Sequence, residues 1–181
     1  APSDIIVSNG AKQSLFNLFQ AVLNVGDEVI IPAPYWVTYP ELVKYAGSIP
    51  VVIDTNEING FKITADQLRA SITPKTKMLI LTSPSNPTGS VYSKTELEAL
   101  AEVLEGTDII VASDEMYEKL VYDIDFVAAA SISEDMYQRT VTINGLSKSV
   151  AMTGWRFGYL ATPKKELIAA MNKLQSQSTS N

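Results

Sequence analysis

The chain is 181 residues long, 46% hydrophobic and 19% charged, enough to bury one good-sized core and too apolar for disorder. Its formal charge of −6 argues against a nucleic-acid surface, which needs clustered basic residues. Cysteine and histidine are both absent, which excludes disulfides, thiolate metal sites and the Ser-His-Asp and Cys-His mechanisms, and leaves Lys, Tyr, Asp/Glu, Arg or a bound cofactor to carry any chemistry.

No apolar run approaches the length of a membrane span, and Ala1-Pro2-Ser3-Asp4 lacks the basic-then-apolar pattern of a secretory signal, so a cytoplasmic protein is expected. Residues 5–7 are read as a short strand and Ser8-Asn9-Gly10-Ala11 as a tight turn. Leu15, Leu18, Phe19, Val22 and Leu23 then recur at helical spacing, with Gly26 expected to close that helix. A strand–turn–helix join of small residues leaves backbone N–H groups free for a phosphate, although an ordinary tight turn reads the same way. Val29-Ile30-Ile31 is a strand, and Pro34-Tyr35-Trp36 opens an amphipathic segment running to Gly47. Trp36, at that junction, is placed either to cover a flat ring or to pack in a core. Residues 49–54 form another strand, residues 56–61 a loop, and Thr64 caps a short helix.

Residues 77–82 read as a buried strand that runs into Ser83-Pro84-Ser85-Asn86-Pro87-Thr88-Gly89. The two prolines and the glycine fix the backbone around Asn86 and aim its amide. Ser93-Lys94-Thr95-Glu96 is a capping box for a helix over residues 97–104, which Gly106 ends. Residues 108–112 are again a buried strand, finishing in Ser113-Asp114-Glu115-Met116-Tyr117. Asp114 is there either a strand-terminal cap or a buried carboxylate with a task. Thr140-Val141-Thr142-Ile143 leads into a polar, small-residue turn carrying Lys148 and Arg156, and Tyr159-Leu160-Ala161 leads out. A helix over residues 164–174 follows, and the tail over residues 175–181 looks like an end without its continuation.

Apolar strands alternating with helices indicate an α/β fold, a three-layer α/β/α arrangement on a mainly parallel mixed sheet. The strand over residues 156–162 follows Ile143 too closely for a helical crossover, so one antiparallel strand is expected. In such sheets ligands gather outside the carboxyl ends of the strands, and Gly10, Trp36, Asn86, Asp114, Tyr117 and Lys148 all fall there.

A lysine in a small-residue turn can present an amine to a carbonyl, and it needs partial desolvation to lose its proton. Arg156 offers a planar fork to a phosphate or carboxylate. The run Gly145-Leu146-Ser147-Lys148, followed by Gly154-Trp155-Arg156-Phe157-Gly158, resembles the cofactor-lysine motif of the class I/II aminotransferases. These are fold type I enzymes dependent on pyridoxal phosphate (PLP). Phe157 departs from the pattern, that place being more often a smaller aliphatic. Asn86-Pro87-Thr88-Gly89 resembles the family's asparagine loop, and Ser113-Asp114-Glu115-Met116-Tyr117 its Asp-x-x-Tyr segment. Gly10-Ala11-Lys12 is similar to its phosphate turn, and Pro34-Tyr35-Trp36 to the segment whose aromatic stacks on the cofactor. The last two look most like the bacterial and plastid aspartate, or aspartate/prephenate, aminotransferase branch.

The resemblance implies roles. Lys148 would hold PLP as a Schiff base and, once freed, carry a proton. Asp114 would keep the pyridine nitrogen protonated, while Asn86 and Tyr117 serve the phenolic oxygen. Gly10, Ala11, Lys12, Trp36, Ser147 and Arg156 complete the cofactor set. Ser147 is there a weaker phosphate ligand, because many relatives carry a serine where this chain has Gly145. Trp36, Asn86 and Lys12 would border the substrate, with Lys12 reaching a distal carboxylate or standing as a solvated first-turn lysine. No metal is expected. Residues 1–181 would be the PLP-binding large domain of a longer enzyme, with the N-terminal arm and C-terminal small domain absent and the isolated domain nearly inactive. The longer enzyme would be a homodimer acting on an amino acid and a 2-oxo acid. A PLP-dependent lyase would share every cofactor residue, and a non-catalytic α/β binding domain is the alternative from another class.

Overall fold

The computed structural model describes residues 1–179. Its frame is a seven-stranded sheet in the order β1-β7-β6-β5-β4-β2-β3. The strands are β1 (Ile5–Asn9), β2 (Glu28–Ala33), β3 (Ile49–Asp54), β4 (Thr76–Thr82), β5 (Ile110–Asp114), β6 (Thr140–Gly145) and β7 (Phe157–Ala161). Only β7 runs against its neighbours, pairing antiparallel with both β1 and β6, while β2, β3, β4, β5 and β6 pair in parallel. The single reversed strand expected from the short residue 143–157 connection is therefore present.

Alternation along each strand builds two cores. On β4, Met78 and Ile80 face one side with α1 (Ala11–Val22), α2 (Thr38–Tyr45) and α7 (Lys165–Gln175), burying Leu15, Leu18, Phe19, Val43, Ile168 and Met171. Leu79 and Leu81 face the other side with α3 (Ala65–Ser71), α4 (Lys94–Leu104) and α5 (Glu134–Arg139), burying Leu68, Leu97, Leu100, Leu104 and Met136. Both faces of the sheet are covered, the three-layer α/β/α arrangement expected for a mostly parallel sheet.

The helix starts follow the local chemistry. Thr64 and Ser93 each accept the N–H three residues on, and Gln67 and Glu96 reach back to the cap backbone. Gly26 does not close α1. The helix ends at Val22 with Leu23 extended, and Gly26 lies in the following turn at φ 88°, donating to the Gly47 carbonyl at 3.1 Å. Residues 56–61 are not wholly loop, since Asn56 caps a short 3-10 turn at Glu57–Asn59. The polar turn around Lys148 holds a helical turn, α6 (Leu146–Ser149). Of the tail, residues 180–181 lie outside the described residues. Among the described residues no helix is long and apolar enough to cross a membrane.

Parallel pairing brings the carboxyl ends of β2, β4, β5 and β6 to one edge. Because β1 and β6 both oppose β7, β1 ends at that edge too and β7 begins there. β3, parallel to β2, ends there as well, so seven chain segments meet at this edge.

Candidate active site

The floor of the site is the end of β5. Asp114 lies in register between Thr82 of β4 and Ile143 of β6, so its side chain leaves the sheet at its centre and is buried. Burial pushes its carboxyl above the usual carboxylate range. Two donors oppose that rise: the Tyr39 hydroxyl at 2.7 Å from Oδ2, and the Met116 N–H at 3.2 Å from Oδ1.

Around this carboxylate opens a cleft of about 330 Å³, lined by Ala11, Lys12, Trp36, Asn86, Tyr117, Ser147, Lys148 and Arg156 together with Asp114 itself. These are nearly all the residues the sequence reading put forward, brought together by the shared sheet edge. Tyr117 is half-buried. Burial and the Asp114 charge raise its phenol, and a side-chain hydrogen bond from Asn86 opposes them. Trp36 is half-buried on the wall, with its ring edge-on to Tyr39 at 5.5 Å and 88°, and the Lys12 Nζ 4.9 Å over it. The Lys148 Nζ stands 6.0 Å from the Tyr117 ring centre. Its side chain is exposed, so the described chain does not supply the desolvation expected from sequence. Lys148 sits on a short helical turn at the rim, where the cleft is open.

Gly10 does not line the cleft but shapes it. It takes φ 78°, a backbone region open to glycine, and the Arg156 guanidinium lies where a Cβ would project. Arg156, itself at φ 51°, has its Nη1 fixed by a 3.1 Å bond to the Thr153 carbonyl. The glycine, the start of α1 and the arginine fork together form a cradle for an anion. Gly158 permits it: a Cβ there would strike the Ala11 nitrogen, so only glycine lets β7 press against the Gly10-Ala11 turn. Gly145 is similarly crowded, since a Cβ would lie 2.7 Å from the Phe157 carbonyl oxygen.

Two residues of the site escaped the sequence reading. Tyr39 reads as an ordinary core position, one turn beyond Trp36 and one before Val43, and its spacing carries no sign of the bond to Asp114. Glu115 is buried behind the floor, where its carboxyl accepts from Ser113 Oγ at 2.8 Å and from the Ala129 N–H, while burial pushes it up to about 7. Among the described residues no cluster of acidic side chains could hold a metal ion.

Known proteins resemble this chain in sequence and fold. The chain is 54% identical to an aspartate aminotransferase of Geobacillus stearothermophilus over 181 residues, which is 99% of this chain and 46% of the relative. It is also 54% identical to an aspartate/prephenate aminotransferase of Cereibacter sphaeroides over 182 residues, covering 99% of this chain and 45% of that protein. The solved aspartate aminotransferase of Rhizobium meliloti superposes with a TM-score of 0.96 at 47% identity, over 99% of this chain and 45% of that one. That of Thermus thermophilus with maleate superposes at 0.95, also at 47% identity, over 100% and 46%. This chain thus spans about half the length of the relatives it matches. A family model for aminotransferase class I and II matches residues 1–181, so the chain belongs to that family.

Proposed function

We propose that this chain forms the PLP-binding large domain of an aspartate-type aminotransferase, an enzyme moving an amino group between an L-amino acid and a 2-oxo acid. The observation that carries the reading is the convergence of Asp114, Asn86, Tyr117, Lys148 and Arg156 from separate segments on one cleft.

The residues suit the cofactor part by part. PLP, when bound, supplies an electron sink: its protonated ring draws electrons from the substrate α carbon. Asp114 would hold the ring nitrogen cationic, because a cation beside it relieves the charge that burial disfavours. Asn86 and Tyr117, already paired, would offer donors to the phenolic oxygen. Trp36 gives a flat wall. The Gly10 turn with Arg156 over it fits a phosphate dianion, and Ser147 lines the same cleft. Lys148 would provide the amine for the cofactor's carbonyl carbon and, when free, would serve as a base for the proton on the substrate α carbon.

Lys12 favours a dicarboxylic substrate. Its ammonium sits over Trp36 at the cleft wall, and the Thermus thermophilus relative was solved with maleate, itself a dicarboxylate. The whole enzyme is proposed to be a homodimer. Exposed Trp155 and Val37, at 76% and 72%, adjoin the cleft residues Arg156 and Trp36 and suit cover by a second subunit.

Equilibrium titration with PLP and with pyridoxal, followed by absorbance, tests this reading. Saturable PLP binding, with pyridoxal at least tenfold weaker because the Gly10–Arg156 cradle goes unused, is expected. Equal affinity for the two would remove the phosphate assignment, and no saturable binding of either would count against the cofactor.

A further inference from the structure

Tyr39 belongs to the core by burial and to the cleft by bonding. Only 1% of it is exposed, and its ring packs in the cluster that holds Ile31, Val43 and Ile80. Phenylalanine would fill that space equally well. The hydroxyl nevertheless has partners on both sides: it accepts from Thr82 Oγ1 at 3.0 Å and donates to Asp114 Oδ2 at 2.7 Å. Thr82 and Asp114 are register partners ending adjacent parallel strands, so the hydroxyl bridges two strand ends across the cleft floor. With the Met116 N–H on Oδ1, the carboxylate is gripped through both oxygens. A threonine that donates to the phenol makes the phenol a better donor in turn.

We propose that Tyr39 is a positioning residue of the cofactor site: ordered by Thr82, its hydroxyl keeps the Asp114 carboxylate charged and aimed at a protonated ring nitrogen. The inference rests on the PLP reading for the identity of that ring. The direction of the effect follows from the donors on Asp114. Burial alone would protonate the carboxyl, and a neutral acid has no charge to hold a pyridinium.

The test pairs a ligand-free measurement with a binding measurement. Carbon-13 carboxyl resonances give the Asp114 titration midpoint in the ligand-free chain, in Tyr39→Phe and in Thr82→Val, and absorbance titration gives each protein's PLP affinity. Asp114 faces Tyr39 from α2 and Glu115 and Tyr117 from the segment after β5, while Lys12, Lys148 and Arg156 line the same cleft. Apart from Tyr39 these groups are common to all three proteins, so a difference in midpoint reports on the relay.

Tyr39→Phe is expected to move the Asp114 midpoint to higher pH and to weaken PLP binding about tenfold, the scale of one hydrogen bond to a charged group. Thr82→Val is expected to do the same to a smaller extent. A lower melting temperature with an unmoved midpoint would reduce Tyr39 to core packing and overturn the proposal. So would a moved midpoint with unchanged PLP affinity in the variants. If the midpoint moves but the unsubstituted chain never binds PLP, the relay on Asp114 stands and the cofactor reading fails instead.

Discussion

The Arg156 guanidinium occupies the space that a Cβ on Gly10 would need, although the two residues lie at opposite ends of the sequence. Their contact joins the turn between β1 and α1 to the start of β7, the antiparallel strand paired beside β1. A phosphate held there would meet backbone N–H groups from one side and a planar cation from the other.

Gly10→Ala should separate site from fold. The methyl group displaces the guanidinium, and φ 78° costs a non-glycine residue about 1–2 kcal/mol. For a chain of this size that corresponds to a melting temperature lower by roughly 2–8 °C. PLP affinity should fall by more than tenfold, well beyond what that loss of stability explains. Binding that survives the substitution intact would show that the cradle does not hold the phosphate.

Glu115 makes stability depend on pH. Its folded carboxyl is pushed up to about 7 by burial, above its ordinary 4.5. The folded chain therefore binds this proton more tightly than the unfolded chain. The stabilisation is complete below about pH 4.5 and is lost as pH rises towards 7, over a range worth on the order of 3 kcal/mol. Urea melts from pH 4.5 to pH 8 should show the native chain weakening along this course while Glu115→Gln stays flatter. Parallel curves for the two proteins would rule out Glu115 as the source.

Arg139 and Lys44 both form ion pairs on helices, and burial decides which of them matters. The Arg139 side chain is 8% exposed and donates to the Thr107 and Ile109 carbonyls at 2.9 Å as well as to Asp135. Arg139→Met should cost about 2–3 kcal/mol, because buried carbonyls lose a charged donor. Lys44→Ala, which breaks an exposed pair with Glu41, should cost under about 0.5 kcal/mol. Chemical denaturation of both variants checks the ordering, and PLP affinity should be unchanged in each.

Much of the site was legible because it follows strand ends. Asp114, Asn86 and the Gly10 turn each stand where an apolar run stops, and a parallel sheet carries all such stops to one edge. Arg156 was legible as a planar fork close to Lys148 and from the run Gly154-Trp155-Arg156-Phe157-Gly158, and the reversal of β7 is what starts that strand at the same edge. Tyr39 was hidden because its helical spacing matches a core residue and its partner lies 75 positions away. The α1 terminus was misread because Gly26 has the conformation of a helix-closing glycine but serves the turn that bonds to Gly47. Lys148 was found, but its exposure was not, since solvent access at a cleft rim is set by what packs over it rather than by its own neighbours in sequence.

Lys148 as the amine that takes the carbonyl of PLP is tested most directly by borohydride reduction followed by peptide mapping. With PLP added, the unsubstituted chain should develop a yellow absorption band, and reduction should leave a phosphopyridoxyl label on Lys148 that is lost in Lys148→Ala. Label falling instead on Lys12 or spread over surface lysines such as Lys119 and Lys173, with Lys148 unmodified, would contradict the account.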